Sequence, residues 1–459
     1  MQALFWEVRM KTKKEYKQHI CKVIDCWQGQ IKKFGDHIMA NPELGFKEFR
    51  TAELVVNRMK EFGIPCQTGL AITGVKGVLE GKKPGPTVAL MGELDALIVR
   101  DHPAAKPETG AAHACGHNAQ IAGLLGAMIG MVEAKVAEKL AGTVVFFAVP
   151  AEEYVDLEYR ARLVSEGRLA FLCGKPELVR LGHFDDIDMA MMIHTHSETE
   201  LKKAAVAQSS NGAVVKMIRF IGRAAHAGAA PHMGINALNA AHVALAAIHA
   251  QRETFQDRDT IRVHPIISSG GDLVNVVPSE VRMETYVRAK TNEAIIDANA
   301  KVDRGLRAGA MALGARVVIK TFPGYMPLRN DTGLKRVFQA NCVELFGEGE
   351  YIEAGHDPGS TDLGDISQLM PALHASMGGA KGAYHSAEWH ISDKEMAYLA
   401  PAKSLAMAAV DLLWGDAEKA IGILAEHRPA MTKPEYLERQ QKLFRTEVYE
   451  AETWKSEDP

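Results

Sequence analysis

Four apolar runs rich in β-branched residues, Val75 to Leu79, Thr87 to Met91, Thr143 to Val149 and Ile187 to Ile193, stand between helix-like segments. Strands that are apolar along their whole length are buried on both faces, which requires helices above and below the sheet. The helices are expected at Phe46 to Phe62 and Gln120 to Ala137, the second small or apolar on nearly all sides. The pattern restricts this part of the chain to an α/β domain, a mixed sheet covered by helices.

From about Asn211 the order changes to strand Val214 to Ile221, helix Ile235 to Gln251, strand Ile261 to Ser268, strand Val281 to Arg288, helix Asn292 to Leu313 and strand Arg316 to Phe322. Ser269 to Asp272 supply the loop between the middle strands. This βαββαβ order is a ferredoxin-like module of about 110 residues. After Pro323 and Gly324 helical and strand-like segments resume, to about Leu413. The expected organisation is therefore an α/β domain, residues 1–208 and 324–459, interrupted by an inserted ferredoxin-like domain at 209–323. Asp416 to Pro459 is charged and reads as one or two helices and a frayed tail.

Composition excludes several classes. Hydrophobic residues at 47% and charged residues at 24% are ordinary for a globular protein and argue against disorder, collagen and coiled coil. A net charge of −4 leaves no footprint for nucleic acid, and the basic run Lys11 to Lys17 reads as a solvated helix face. The longest uninterrupted apolar run, Ile121 to Val132, has 12 residues, against the roughly 20 of a membrane span, so none is expected. Met1 to Asp25 lacks the apolar core of a secretory signal. The six scattered cysteines suggest no disulfide framework, and a reducing cytoplasm is the expected location.

The chemistry gathers at strand ends and loops. His113, Cys115 and His117 lie in a glycine-containing loop running into the Gln120 helix. A thiolate and an imidazole two residues apart can turn toward one ion there, since Gly116 lets the backbone fold tightly. Cys-x-His is also met as a buried cysteine beside a hydrogen-bonded histidine. After the Thr143 to Val149 strand come adjacent carboxylates, Glu152 and Glu153. Pointing in different directions, one can bind metal while the other acts as general base, although paired carboxylates are common on surfaces. Their place matters because open α/β sheets bind ligands at the carboxyl ends of their strands. His194 and His196 close another strand in the same way, His194 being the nearer to it, and His385 lies in a region that follows a glycine-rich loop. Cys, Glu and several His make a donor set large enough for two divalent ions, with a carboxylate able to bridge them. Thiolate and imidazole favour zinc, and the carboxylate leaves manganese or cobalt open. His356 and Asp357 read equally as site-lining or loop-stabilising residues.

Five motifs in order carry a resemblance: His113-Ala-Cys-Gly-His117, Pro150-Ala-Glu-Glu153, Gly222-Arg-Ala-Ala-His226, Asn275-Val-Val-Pro278 and Gly359-Ser-Thr-Asp362. They resemble the signature series of the aminoacylase and carboxypeptidase-like metallo-amidohydrolases, in the branch with hippurate, auxin-conjugate and p-aminobenzoyl-glutamate hydrolases. The likeness spans about Gly35 to Leu413. It implies Cys115, His117, Glu153, His194 and His385 as ligands of two divalent metals, and Glu152 as the general base of a metal-bridging water that cleaves an amide of an N-acyl or N-aroyl amino acid. It also implies His226 as a group that stabilises the reacting carbonyl oxygen across a homodimer built through the inserted domain, and Asn275 and Arg288 as substrate contacts. His37 to Leu44 and Gly92 to Asp95 match family segments read as scaffold, Asp95 as support for a ligand. Asn118 stands where hippurate and auxin-conjugate hydrolases have Asp; it resembles the p-aminobenzoyl-glutamate group and withholds a negative charge from the metals. Hydrolytic deamination or dipeptide cleavage on the same scaffold is the alternative, and a non-catalytic metal-binding protein the remote one. No nucleic-acid or membrane partner is implied.

Overall fold

The structure, a computed structural model, describes residues 12–452. The readings of Met1 to Lys11 and of the last seven residues of the tail lie outside the described residues. The chain forms two compact units. The first takes the described residues to Gln208 with Arg329–Gly355 and Leu369–Ala430; the second takes Ser209–Leu328, His356–Gln368 and the described residues from Met431.

In the first unit the strands run side by side in the order Cys66–Leu70, Gly74–Glu80, Ala141–Val149, Lys83–Glu93, Met189–Thr195, Ala372–Met377, Ala204–Ser210. Ala141–Val149, Lys83–Glu93, Met189–Thr195 and Ala372–Met377 pair in parallel, and the outer pairings are antiparallel. The sheet is thus mixed. Glu93 stands opposite Val149, and Thr195 opposite Met377, so the carboxyl ends of the parallel strands open on one edge. Helix His117–Glu133 is buried along almost its whole length, as its apolar composition requires. The segment Glu395–Leu413 is long and apolar enough to cross a membrane, but 83% of its window is buried within the fold; it is a core helix. Lys403 and Asp411 interrupt it, so a count of unbroken apolar runs passes over it. The basic run is not wholly solvated: Lys17 is 7% exposed and its ammonium lies 2.8 Å from Glu344 and 3.0 Å from Asp411.

The second unit contains an antiparallel sheet in which Glu280–Ala289, Gly212–Ile221 and Arg316–Pro323 are central. Burial alternates along Glu280–Ala289, the signature of a sheet with one covered face. Helices Ala237–Ala250 and Asn292–Leu313 supply the cover. The expected strand Ile261 to Ser268 is two short strands, Arg262–Val263 and Ile266–Ser269, because Pro265 between them has no N–H for the ladder.

Of the range 324–459, expected to return to the first domain, residues 324–328, 356–368 and 431–452 lie instead in the second unit. The cause is a strand in the supposed tail: Arg445–Glu450 pairs along Arg316–Thr321. Its charged residues resemble a solvated segment, and what holds it is backbone pairing, ion pairs such as Arg316–Glu450 at 2.7 Å, and packing of Tyr449 against the core. The buried Asp365 carboxylate anchors the preceding helix, accepting from Tyr436 Oη at 2.8 Å and Gln440 Nε2 at 2.7 Å.

A buried ion pair lies in this unit. Lys216, fully buried, donates to Asp303 at 2.6 Å and to Thr321 Oγ1 at 2.8 Å. Removing one partner of such a pair strands the other charge, at a cost of about 3–5 kcal/mol. Lys216→Ala is therefore expected to lower the unfolding free energy of this unit by about that much, while Lys216→Met with Asp303→Leu costs about 2 kcal/mol or less. Denaturant unfolding followed by near-ultraviolet circular dichroism measures both; equal losses would contradict the expectation.

Candidate metal centre

All six expected metal and base residues of the first unit come together. Cys115, His117 and His194 offer donor atoms within 4.8 Å of one another, and so do Cys115, Glu153 and His385. The donor common to the two triads is the Cys115 thiol. A third group, Glu93, His117 and Glu152, meets the same limit.

Each side chain is aimed by its backbone. Gly116, at φ +99°, turns the loop into helix His117–Glu133, a conformation that favours glycine. His117 Nδ1 lies 2.8 Å from the Asp95 carbonyl oxygen, so it carries the proton and leaves Nε2 as the donor for a metal. His194 is set alike, its Nδ1 bonded to the Thr195 carbonyl at 2.9 Å and its Nε2 3.3 Å from Cys115 Sγ. Ala151, at φ +53°, forms the bend before the two glutamates, and His385 itself has φ +60°. Left-handed backbone at non-glycine residues is strained and persists only where neighbours hold it. The His385 N–H donates to the Ala114 carbonyl at 2.9 Å, and its Nε2 lies 3.1 Å from Glu153 Oε1.

His117 Nε2 and Glu153 Oε1 are buried atoms with no hydrogen-bond partner, although each lies 3.1 Å from an oppositely charged group. Donor atoms converging without hydrogen-bond geometry are what a metal shell looks like from its ligands, and thiolate, imidazole and carboxylate are zinc-type donors. The residues fit two divalent ions. Electrostatics agree. Glu153 raises His385 to about 11 against the effect of burial. Burial opposes protonation of His117, but Glu93, Asp95 and Cys115 outweigh it and raise its pKa. Burial pushes the Cys115 thiol up, yet His194 and hydrogen bonds from His117 and His194 bring it down to about 6. The cluster thus favours positive charge. At pH 7 the Cys115 proton is already largely lost while His385 keeps its own, so metal binding must displace imidazole protons. Proton release, measured by calorimetry in buffers of different ionisation enthalpy, is expected, with affinity falling as pH falls. Affinity independent of pH between 6 and 8 would contradict it.

Two residues read as scaffold belong to the centre. Asp95, fully buried, accepts from the Glu153 N–H at 2.9 Å while its carbonyl fixes His117. Glu93, not singled out from sequence, lies 3.1 Å from His117 Nε2 and accepts from the fully buried Lys175 ammonium at 2.6 Å and from Gln120 at 2.7 Å. Burial raises its pKa, but Lys175 and His117 win and hold it at about 2. Its sequence signals are a carboxylate at a strand end and its place in the Gly92 to Asp95 segment. His196 falls outside the triads; both its ring nitrogens are buried without partners. Asn118 is buried, its amide nitrogen donating to the Gly35 carbonyl and to Tyr398 Oη, each at 3.2 Å.

The remaining expected residues lie in the second unit. His226 is exposed; its Nδ1 accepts from the N–H groups of Gly228 and Ala229 at 3.1 and 3.0 Å, which leaves Nε2–H as a free-facing donor tautomer. Asn275 is its neighbour, since the Ala227 N–H donates to the Asn275 carbonyl at 2.9 Å. Arg288 is not brought to them by any described contact; it stands opposite Ala213 and Arg262 in the sheet. His356 is loop-stabilising, bonded to Ser209, Thr260 and Asn211 at 2.9 to 3.0 Å.

The profile of peptidase family M20/M25/M40 matches residues 89–407. The chain is 30% identical over 338 residues to the Xaa-Arg dipeptidase of Mus musculus, covering 71% of this chain and 70% of that protein. It is 26% identical over 385 residues to the hippurate hydrolase of Campylobacter jejuni, covering 81% and 94%. The crystal structure of the aminobenzoyl-glutamate utilization protein from Klebsiella pneumoniae superposes with a TM-score of 0.63 at 18% identity, covering 86% of this chain and 98% of that one.

Proposed function

The chain belongs to peptidase family M20/M25/M40, and from that premise we propose that it hydrolyses the amide bond of an N-acyl or N-aroyl amino acid at a centre of two divalent metal ions. The observation that carries this reading is the pair of donor triads sharing Cys115, with Glu152 beside them. Cys115, His117 and His194 would hold one ion, and Cys115, Glu153 and His385 the other, as zinc or manganese, with cobalt open. When bound, such ions polarise the amide carbonyl and make water acidic. Glu152, 6% exposed and 4.0 Å from His117 Nε2, takes the proton of the attacking water and returns it to the leaving amine. His226 Nε2–H suits an oxyanion donor, a contact worth about 3–4 kcal/mol in the transition state, and Asn275 and Arg288 suit a substrate carboxylate.

We also propose a homodimer formed through the second unit. Ile266 and Ile267 on the Ile266–Ser269 strand, and Leu273 and Val274 just after it, are exposed, and an apolar edge strand of this kind is usually covered. Residence in a reducing cytoplasm is proposed on the scattered cysteines, which are all free.

A second reading, dipeptide cleavage, is favoured by the likeness to Xaa-Arg dipeptidase. Incubating metal-loaded protein with N-benzoyl and N-acetyl amino acids, p-aminobenzoyl-glutamate and Xaa-Arg dipeptides, with products identified by mass spectrometry, separates the two. Release of free amino acid from the acylated set supports the first; cleavage confined to dipeptides replaces it with the second.

A further inference from the structure

The bend that carries Glu152 and Glu153 is held from several sides, and one brace comes from a segment distant in sequence. Glu48, fully buried at the start of helix Phe49–Glu61, accepts from the Ala151 N–H through Oε1 at 2.8 Å and from Thr73 Oγ1 through Oε2 at 2.7 Å. Ala151 is the residue with φ +53°, so this hydrogen bond lies on the strained residue itself. On the other side, the Ala151 carbonyl accepts from the Gly174 N–H at 3.1 Å, and the fully buried Arg160 guanidinium donates to the Leu172 carbonyl at 2.7 Å and to the Glu153 carbonyl. The chain just before Glu48 is pressed against the same bend: a side chain at Gly45 would meet Arg160 Nη2 at 2.2 Å and Ala151 Cβ at 2.9 Å. It also touches the segment that supports His117, since the Ala96 N–H donates to the Glu43 carbonyl at 2.7 Å.

We propose that Glu48 is a positioning residue, whose reach to the Ala151 N–H holds the left-handed bend and thereby aims Glu152 at the reacting water and Glu153 at its metal. The kinetic side of this inference rests on the amide-hydrolase reading; the metal-binding side does not. What matters is length and hydrogen bonding rather than charge. Glutamine at 48 can still accept from Ala151 and can donate to the Thr73 hydroxyl. Aspartate keeps the charge but is one methylene too short to reach.

The test compares Glu48→Gln and Glu48→Asp with the wild type, using folded protein checked by circular dichroism. Kinetics are read as kcat and KM separately, and cobalt(II) titration follows the thiolate-to-metal absorption. Glu48→Asp is expected to lose about 100-fold in kcat with KM within about threefold, as a misplaced catalytic group does, and to bind one of its two cobalt ions about tenfold more weakly. Glu48→Gln is expected to match the wild type within about threefold in both readouts. A Glu48→Asp protein like the wild type overturns the proposal, and so does a Glu48→Gln protein as impaired as Glu48→Asp, because retained length and hydrogen bonding would then not preserve the bend. Should Glu48→Asp not fold, Thr73→Val, which lets the carboxylate turn, gives the same pattern at smaller size, and wild-type values there overturn the proposal. If the wild type cleaves no amide, the functional reading falls, and the cobalt titration alone still decides the role of Glu48.

Discussion

Glu152→Gln is expected to lower kcat by about 10³- to 10⁴-fold while two metal ions per chain are retained. The size follows from the role: a general base positioned on the attacking water contributes about 10²- to 10⁴-fold, and the amide of glutamine cannot accept the proton. Metal retention follows from geometry. Glu152 is not a member of either triad that shares Cys115, the two that would hold the ions, and belongs only to the third group with Glu93 and His117; it lies 4.0 Å from His117 Nε2, against the 3.1 Å between Glu153 and His385. Elemental analysis beside steady-state kinetics reads both quantities. Loss of metal together with activity would reassign Glu152 as a ligand; full activity would remove it from the mechanism.

The second large effect is expected at Cys115. Its sulfur is the only donor common to the two triads, so Cys115→Ala weakens both ions at once. Loss of even an outer partner of a ligand costs about 10- to 100-fold in metal affinity, and loss of the shared ligand should exceed that for both ions, with activity falling in step. His196→Ala is the matched control: it removes a buried imidazole two residues from His194 that belongs to neither triad, and its metal content should stay near two per chain. Equal metal loss in the two variants would contradict the assignment of ligands.

How much of this centre the sequence reveals depends on whether a residue's role is local. The candidate ligands sit where strands or loops end, and strand ends can be read from apolar runs; Val149 before Glu152 and Ile193 before His194 are examples. That His194 lies nearer the strand end than His196 was legible. The shared role of Cys115 was not, because it depends on how three loops fold over one another. Glu93 and Lys175 were not legible either, since a buried ion pair between residues 82 apart leaves no local pattern. Glu48 was not for the same reason, its partners Thr73 and Ala151 being 25 and 103 residues away. The core α/β and βαββαβ orders were legible from periodicity, whereas the Arg445–Glu450 strand, mostly polar and joined to the sheet by pairing along Arg316–Thr321, was not.

The proposed amide hydrolysis depends on two bound metal ions, and stripping and reloading them tests that dependence most directly. Protein stripped with a chelator and titrated with zinc, manganese or cobalt, with amine release from an N-acyl amino acid panel followed at each addition, should be inactive without metal and reach full activity at about two equivalents, given the two triads. Hydrolysis unchanged by stripping, or none at any metal loading, would contradict it.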